Sequence, residues 1–154
     1  MGMATILYGC ITEYGVYNEL QEKIKKHNDS VLKSLPDFDE WPPLTRQMFA
    51  TTQDSDYKRT PPTYEYWGRT FHFGGQFKSI EYEWSEWKIK FETLLTKLVW
   101  KDAFVHFKTE YTDVQTFRWR MDSNKWTPYD RIDFEIKKEY WDFEGDETWE
   151  KING

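Results

Sequence analysis

Cysteine occurs once in the 154 residues, at Cys10, so no disulfide can close within one chain. That suits a reducing compartment, and a cytoplasmic location is expected. No apolar run approaches the roughly 18 residues that a membrane-spanning helix needs. The N-terminus has no basic stretch followed by an apolar one, so no signal peptide is expected. Neither GxGxxG nor GxxxxGK[ST] occurs, and no HxxxH or HExxH pair is present, so the common phosphate loops and helical metal motifs are excluded. Basic character is lacking too. Asp and Glu number 27 against 21 Lys and Arg, giving a net charge of −6 and a pI near 5.2. Such a surface repels phosphate backbones and anionic lipid, so neither nucleic acid nor a membrane is expected as a partner.

What the chain has instead is aromatic bulk. Hydrophobic residues make up only 38% of the chain and mean hydropathy is −0.89, but there are nine Trp, ten Tyr and eleven Phe. Each buried ring removes ~150–250 Å² from water, and disordered chains are poor in such residues. One domain spanning 1–154 is expected, with enough aromatic surface to build its own core.

Ala4 to Ile11 is apolar and partly β-branched, and reads as a buried first strand. Asn18 and Gln21 have capping-box spacing, and Leu20, Ile24, Val31 and Leu35 then follow a helical stripe that Pro36 ends. Residues 36–63 hold Pro36, Pro42, Pro43, Pro61 and Pro62 and no clean period, so they read as a long loop pinned by Phe38, Trp41, Leu44 and Phe49, with Leu44, Met48 and Phe49 on a short helical turn. Tyr64 to Phe73 reads as a strand, which Gly74-Gly75 ends or bulges. Trp84, Trp87, Phe91, Leu94, Leu95 and Leu98 recur at steps of three and four, predicting an amphipathic helix over 83–99, with Glu86 and Lys90 paired at i,i+4. Three strands follow, at 103–110, 114–121 and 131–137, with Asp122-Ser123-Asn124 as a turn. The fold class expected is α+β: a two-layer sandwich with about five mainly antiparallel strands and two main helices on one face.

His72 and His106 fall in predicted strands. Two strand histidines beside a carboxylate can make a metal or acid–base site, but the favoured reading is a pair of ordinary sheet residues, and His27 reads as a helix-surface residue. Cys10 lies within an apolar strand, where a free thiol behaves as a small buried hydrophobe. Arg118 and Arg120 alternate with Phe117 and Trp119, the pattern of a solvated strand face paired to nearby acids. No catalytic residue, metal or cofactor is assigned. The alternative is an aromatic-lined ligand pocket near His72 and His106.

Charge is distributed unevenly. Residues 37–56 carry five acids against Arg46, net −4, and residues 139–154 carry six acids against Lys151, net −5. Both segments are studded with rings: Phe38, Trp41 and Phe49 in one, Tyr140, Trp141, Phe143 and Trp149 in the other. Aromatics anchor interfaces, and acids steer a basic partner in. The partner-binding residues are therefore expected to be Asp37, Asp39, Glu40, Trp41, Asp142, Glu144 and Asp146, gathered on one acidic face.

An acidic, Trp-rich α+β chain with the run Asp37, Asp39, Glu40, Trp41, Pro42, Pro43, Leu44 resembles the small immunity proteins of bacterial toxin systems. The resemblance implies a cytoplasmic, non-catalytic protein that neutralises a toxin by binding it, and no residue role is carried over from it. The expected partner is thus a basic protein such as a toxin, and the chain itself a monomer or homodimer. A structural role as an oligomer subunit is the remaining alternative.

Overall fold

The computed structural model describes residues 4–52, 68–110, 113–129 and 131–145. The opening β-branched run forms strand β1 (Ala4–Glu13), and the helical stripe after it forms α1 (Asn18–Lys33). A 3-10 turn at Arg46–Met48 leads into strand β2 (Phe49–Thr52), and β3 (Thr70–Lys78) follows. A second 3-10 turn, Ile80–Glu83, runs into helix α2 (Trp84–Leu95). Then come β4 (Trp100–Thr109), β5 (Gln115–Met121), a 3-10 turn at Lys138–Tyr140, and β6 (Trp141–Glu144). The strands lie in the order β2-β3-β1-β4-β5-β6, and every neighbouring pair is antiparallel. The first six elements interlock as two split β-α-β units, the ferredoxin-like connectivity, and β5 and β6 widen the sheet beyond β4. Such an arrangement fixes no function.

The α+β class and the two helices on one face are as expected, and the sheet has one strand more. Several local expectations are corrected. Gly74 and Gly75 neither end β3 nor bulge it: they pair in register with Tyr8 and Leu7, and the strand runs on to Lys78. A Cβ on Gly75 would lie 2.7 Å from the Phe77 ring, so the glycine makes room for that ring on the same face. Residues 131–137 form no strand; Phe134 and Ile136 are buried while Ile132 is 99% exposed. The N-cap of α1 is Tyr17 rather than Asn18, and Gln21 is buried, accepting from the Val16 N–H at 2.7 Å. His27 is not a free surface residue: its Nε2 meets the Lys97 carbonyl at 2.6 Å and its ring stands edge-on to Phe134. Of the predicted strand 64–73, residues 64–67 lie outside the described residues.

Alternation puts Leu7, Ile11, Phe71, Phe73, Val105, Phe107, Phe117 and Trp119 on the face the helices cover. There α2 presents Trp84, Trp87 and Phe91, all fully buried. Trp84 stacks on Phe117 at 4.1 Å and meets Phe107 edge-on at 4.8 Å; Phe91 touches Phe73 at 5.2 Å and Trp119 at 4.9 Å. The indole N–H of Trp119 donates to Glu92 and that of Trp100 to the Leu95 carbonyl, so these buried rings leave no donor stranded. The opposite face of the sheet is open, with Ile6 44% and Tyr8 46% exposed.

At the β1 end of the core lies an ion pair. Arg69 and Glu13 are both almost wholly buried, with Nη2–Oε2 at 2.8 Å and Nε–Oε1 at 3.0 Å. Asn28 donates to the same carboxylate at 3.0 Å, and the remaining Arg69 nitrogen, Nη1, donates to Asp29 at 2.9 Å. Because removing one partner strands a buried charge, Arg69→Ala is expected to cost about 3–5 kcal/mol in chemical denaturation. The double change Glu13→Leu with Arg69→Met removes both charges and is expected to cost much less. Equal losses for the two would contradict the pairing.

Candidate functional site

The loop between α1 and the 3-10 turn at 46–48 owes its shape to one lysine on α2. Lys90 donates to Asp39 Oδ2 at 2.9 Å, to the Glu40 carbonyl at 3.0 Å and to the Pro42 carbonyl at 2.8 Å. An ammonium has three protons, so the loop takes up the whole donor capacity of this side chain. Trp87, also on α2, donates its indole N–H to the Pro43 carbonyl at 2.9 Å. Asp39 in turn accepts from the Leu44 N–H at 3.0 Å, and the Arg46 N–H closes the loop base on the Pro36 carbonyl at 3.0 Å. Leu44 and Pro42 are buried. Burial alone would raise the Asp39 carboxyl, but the Leu44 N–H and the Lys90 ammonium outweigh it and hold the group below the ordinary carboxylate range.

What the held loop presents is apolar and acidic. Phe38 was expected to anchor the loop to the core, yet it is 89% exposed; Leu44 does the anchoring. Trp41 is half exposed, its ring edge-on to Phe77 of β3 at 6.1 Å. Glu40 is exposed, and Asp37 is exposed and paired with Arg46. Asp39, by contrast, is turned inward to its structural task.

The two acidic segments do not merge. Asp142 and Glu144 sit on β6, at the opposite edge of the sheet from β2, directly across from Arg120 and Arg118 in register. The helix α2 stands between: its Lys90 holds the loop on one side, and its Lys88 lies over the Phe143 ring of β6 at 3.8 Å on the other. The single acidic face expected from the sequence is therefore divided in two, and Asp146 lies outside the described residues.

His72 and His106 share the open sheet face but flank β1 from opposite sides and on different rungs, beside Cys10 and Tyr8 respectively. His72 Nε2 meets the Thr70 hydroxyl at 3.1 Å, and His106 Nδ1 meets that of Thr116 at 2.8 Å. Burial and the nearby Arg118 guanidinium hold the His106 imidazole below its ordinary value. Cys10 is buried, and burial together with the Asp102 carboxylate pushes its thiol up, the reverse of what activates a nucleophile. Among the described residues no group of three or more His, Cys, Asp and Glu converges as a metal site, and no helix is long and apolar enough to cross a membrane.

Lys90 is the residue that sequence reading assigned elsewhere. Its spacing from Glu86 suggested an ordinary i,i+4 pair, and nothing local announced a partner 51 positions away. No protein-family model, no curated protein and no solved structure matches the chain.

Because the folded-state value of Asp39 is lowered, its pairing stabilises the fold fully above the ordinary carboxylate range and is lost as pH falls through the lowered value. Asp39→Asn is expected to cost about 1 kcal/mol near neutral pH, and the gap to the parent protein should close in strong acid. A gap independent of pH, measured by denaturant titration, would contradict the assignment.

Proposed function

We propose that the chain is a non-catalytic protein-binding module, and that its 36–46 loop engages a basic protein partner. The observation that carries the reading is Phe38, 89% exposed in a loop whose backbone is tied down by Lys90 and Trp87. An exposed ring on a mobile loop loses freedom when it binds; on a fixed loop much of that loss has already been taken in folding. Aromatic anchors dominate binding energy at the centre of interfaces, and the loop presents Phe38 and Trp41 with Glu40 and the Arg46-paired Asp37 beside them. The acids supply long-range attraction for a basic surface and set the approach rate more than the final affinity.

The acidic, tryptophan-rich character and this loop support an immunity-type role, in which a bacterial toxin is bound in the cytoplasm and blocked. Asp142 and Glu144 face cross-strand arginines, which favours the loop as the principal contact. The aromatics of the helix-covered face pack on one another, and His72 and His106 lie on the open face. Both placements favour binding over chemistry in a pocket.

The test is capture of a partner from bacterial lysate at low and high salt, using the parent protein and Phe38→Ala/Trp41→Ala as baits. One basic protein retained at low salt and weakened at high salt is expected, because surface charge is screened. Loss of both rings is expected to weaken capture by roughly 30-fold or more, and Phe38→Ala alone, which removes an exposed ring, is expected to weaken it with unchanged thermal stability. Equal capture by both baits would overturn the loop assignment.

A further inference from the structure

The two edges of the sheet are built differently. On one side β6 (Trp141–Glu144) ends the sheet with Asp142 and Glu144, both exposed. Charged side chains on an edge strand discourage another strand from pairing with it. On the other side β2 (Phe49–Thr52) reads Phe-Ala-Thr-Thr, with neither charge nor proline, and Ala50, Thr51 and Thr52 are all exposed. Among the described residues no strand pairs with the outer edge of β2. Its only ring, Phe49, is turned inward against Phe73 at 5.3 Å, on the strand's β3 partner.

The position of β2 matters as much as its composition. Among the described residues it pairs only with Thr70–Phe73 of β3, and beyond Phe73 the loop's Trp41 meets Phe77 of the same strand. The loop leads through the 3-10 turn into Phe49, so loop and edge strand follow one another along a single side of the sheet. An extended chain added to β2 would continue past Phe49 alongside the 3-10 turn that ends the loop.

We infer that β2 is a docking edge: an extended, basic segment of the partner protein adds to the sheet as a further strand, with its cationic side chains carried onto the acidic loop. This rests on the proposed binding role of the loop and specifies how the partner engages it. The division of labour follows from the chemistry. Main-chain hydrogen bonds to β2 tolerate many sequences, and selectivity comes from the side chains that meet the loop.

The experiment titrates the isotope-labelled protein with a capped alternating Lys-Val peptide, and with the same peptide N-methylated at adjacent residues, which blocks strand pairing on both its edges but keeps its charge. The unmodified peptide is expected to shift the amide signals of both Phe49–Thr52 and the loop and to slow hydrogen exchange in β2. The methylated peptide is expected to bind about ten-fold more weakly, the equivalent of one or two lost main-chain hydrogen bonds. Equal binding of the two peptides, with shifts confined to the loop, would overturn strand addition and leave the loop reading standing. If neither peptide shifts any amide at low salt, the basic-partner reading falls together with the docking edge.

Discussion

The buried pair of Arg69 and Glu13 is the constraint around which the rest of the structure is arranged. Taking both charges out of water costs several kcal/mol per ion, and that is offset only if every donor and acceptor is satisfied. The fold satisfies them from the pair's own main chain and from α1. Glu13 closes β1, and Arg69 immediately precedes β3, with their main chains joined by a Glu13 N–H to Arg69 carbonyl bond of 2.8 Å. From α1 come Asn28 and Asp29, along with the Lys25 carbonyl. Asn28 then reaches beyond the pair, donating to the Val99 carbonyl and accepting from the Val99 N–H, and so fixes the turn between α2 and β4. One ion pair thereby sets the position of α1 against the end of β1 and the start of β3, and the connection that follows α2.

With that end fixed, the aromatic layer sets the seat of α2, and α2 sets the loop. Trp87 acts in both places: its ring stacks on Phe91 at 5.1 Å within the core, and its indole N–H holds the Pro43 carbonyl. Lys90 lies on the same helix, at the boundary between core and solvent. The path from sequence to proposed function therefore runs through helix geometry. A 3.6-residue period buries Trp84, Trp87 and Phe91, and it also carries Lys90 round to the side where the loop crosses. The loop's own sequence supplies Asp39 as an internal acceptor and leaves Phe38 and Trp41 facing out.

Strong periodicity made much of the fold legible before any coordinates. The stripe of α2 and the alternation of β5 are long enough, and regular enough, to name the buried residues individually. The short edges β2 and β6 were not visible, because four residues carry too little pattern and both lay in segments whose composition suggested loop or tail. The stretch 131–137 failed in the opposite sense. Alternation of Ile132, Phe134 and Ile136 reports an extended backbone, and it cannot say whether a neighbouring strand exists to pair with. Here the main chain makes a bond from the Ile136 N–H to the Thr96 carbonyl, and Ile132 is in solvent. The acids of the loop were correctly placed on the loop, but their roles were not separable, since the use of Asp39 depends on Lys90 and the exposure of Phe38 on what the rest of the loop buries. The Glu13–Arg69 pair, 56 residues apart, left no local trace at all.

Tied to Lys90 and Trp87, the loop is held in one conformation before any partner arrives. Backbone relaxation of the free protein in solution measures this directly, residue by residue, on the fast timescale. Order parameters for Phe38, Glu40 and Trp41 are expected close to those of α2, at about 0.85. Values below about 0.6 across the same residues would show a loop free to move, and would contradict a pre-organised binding surface.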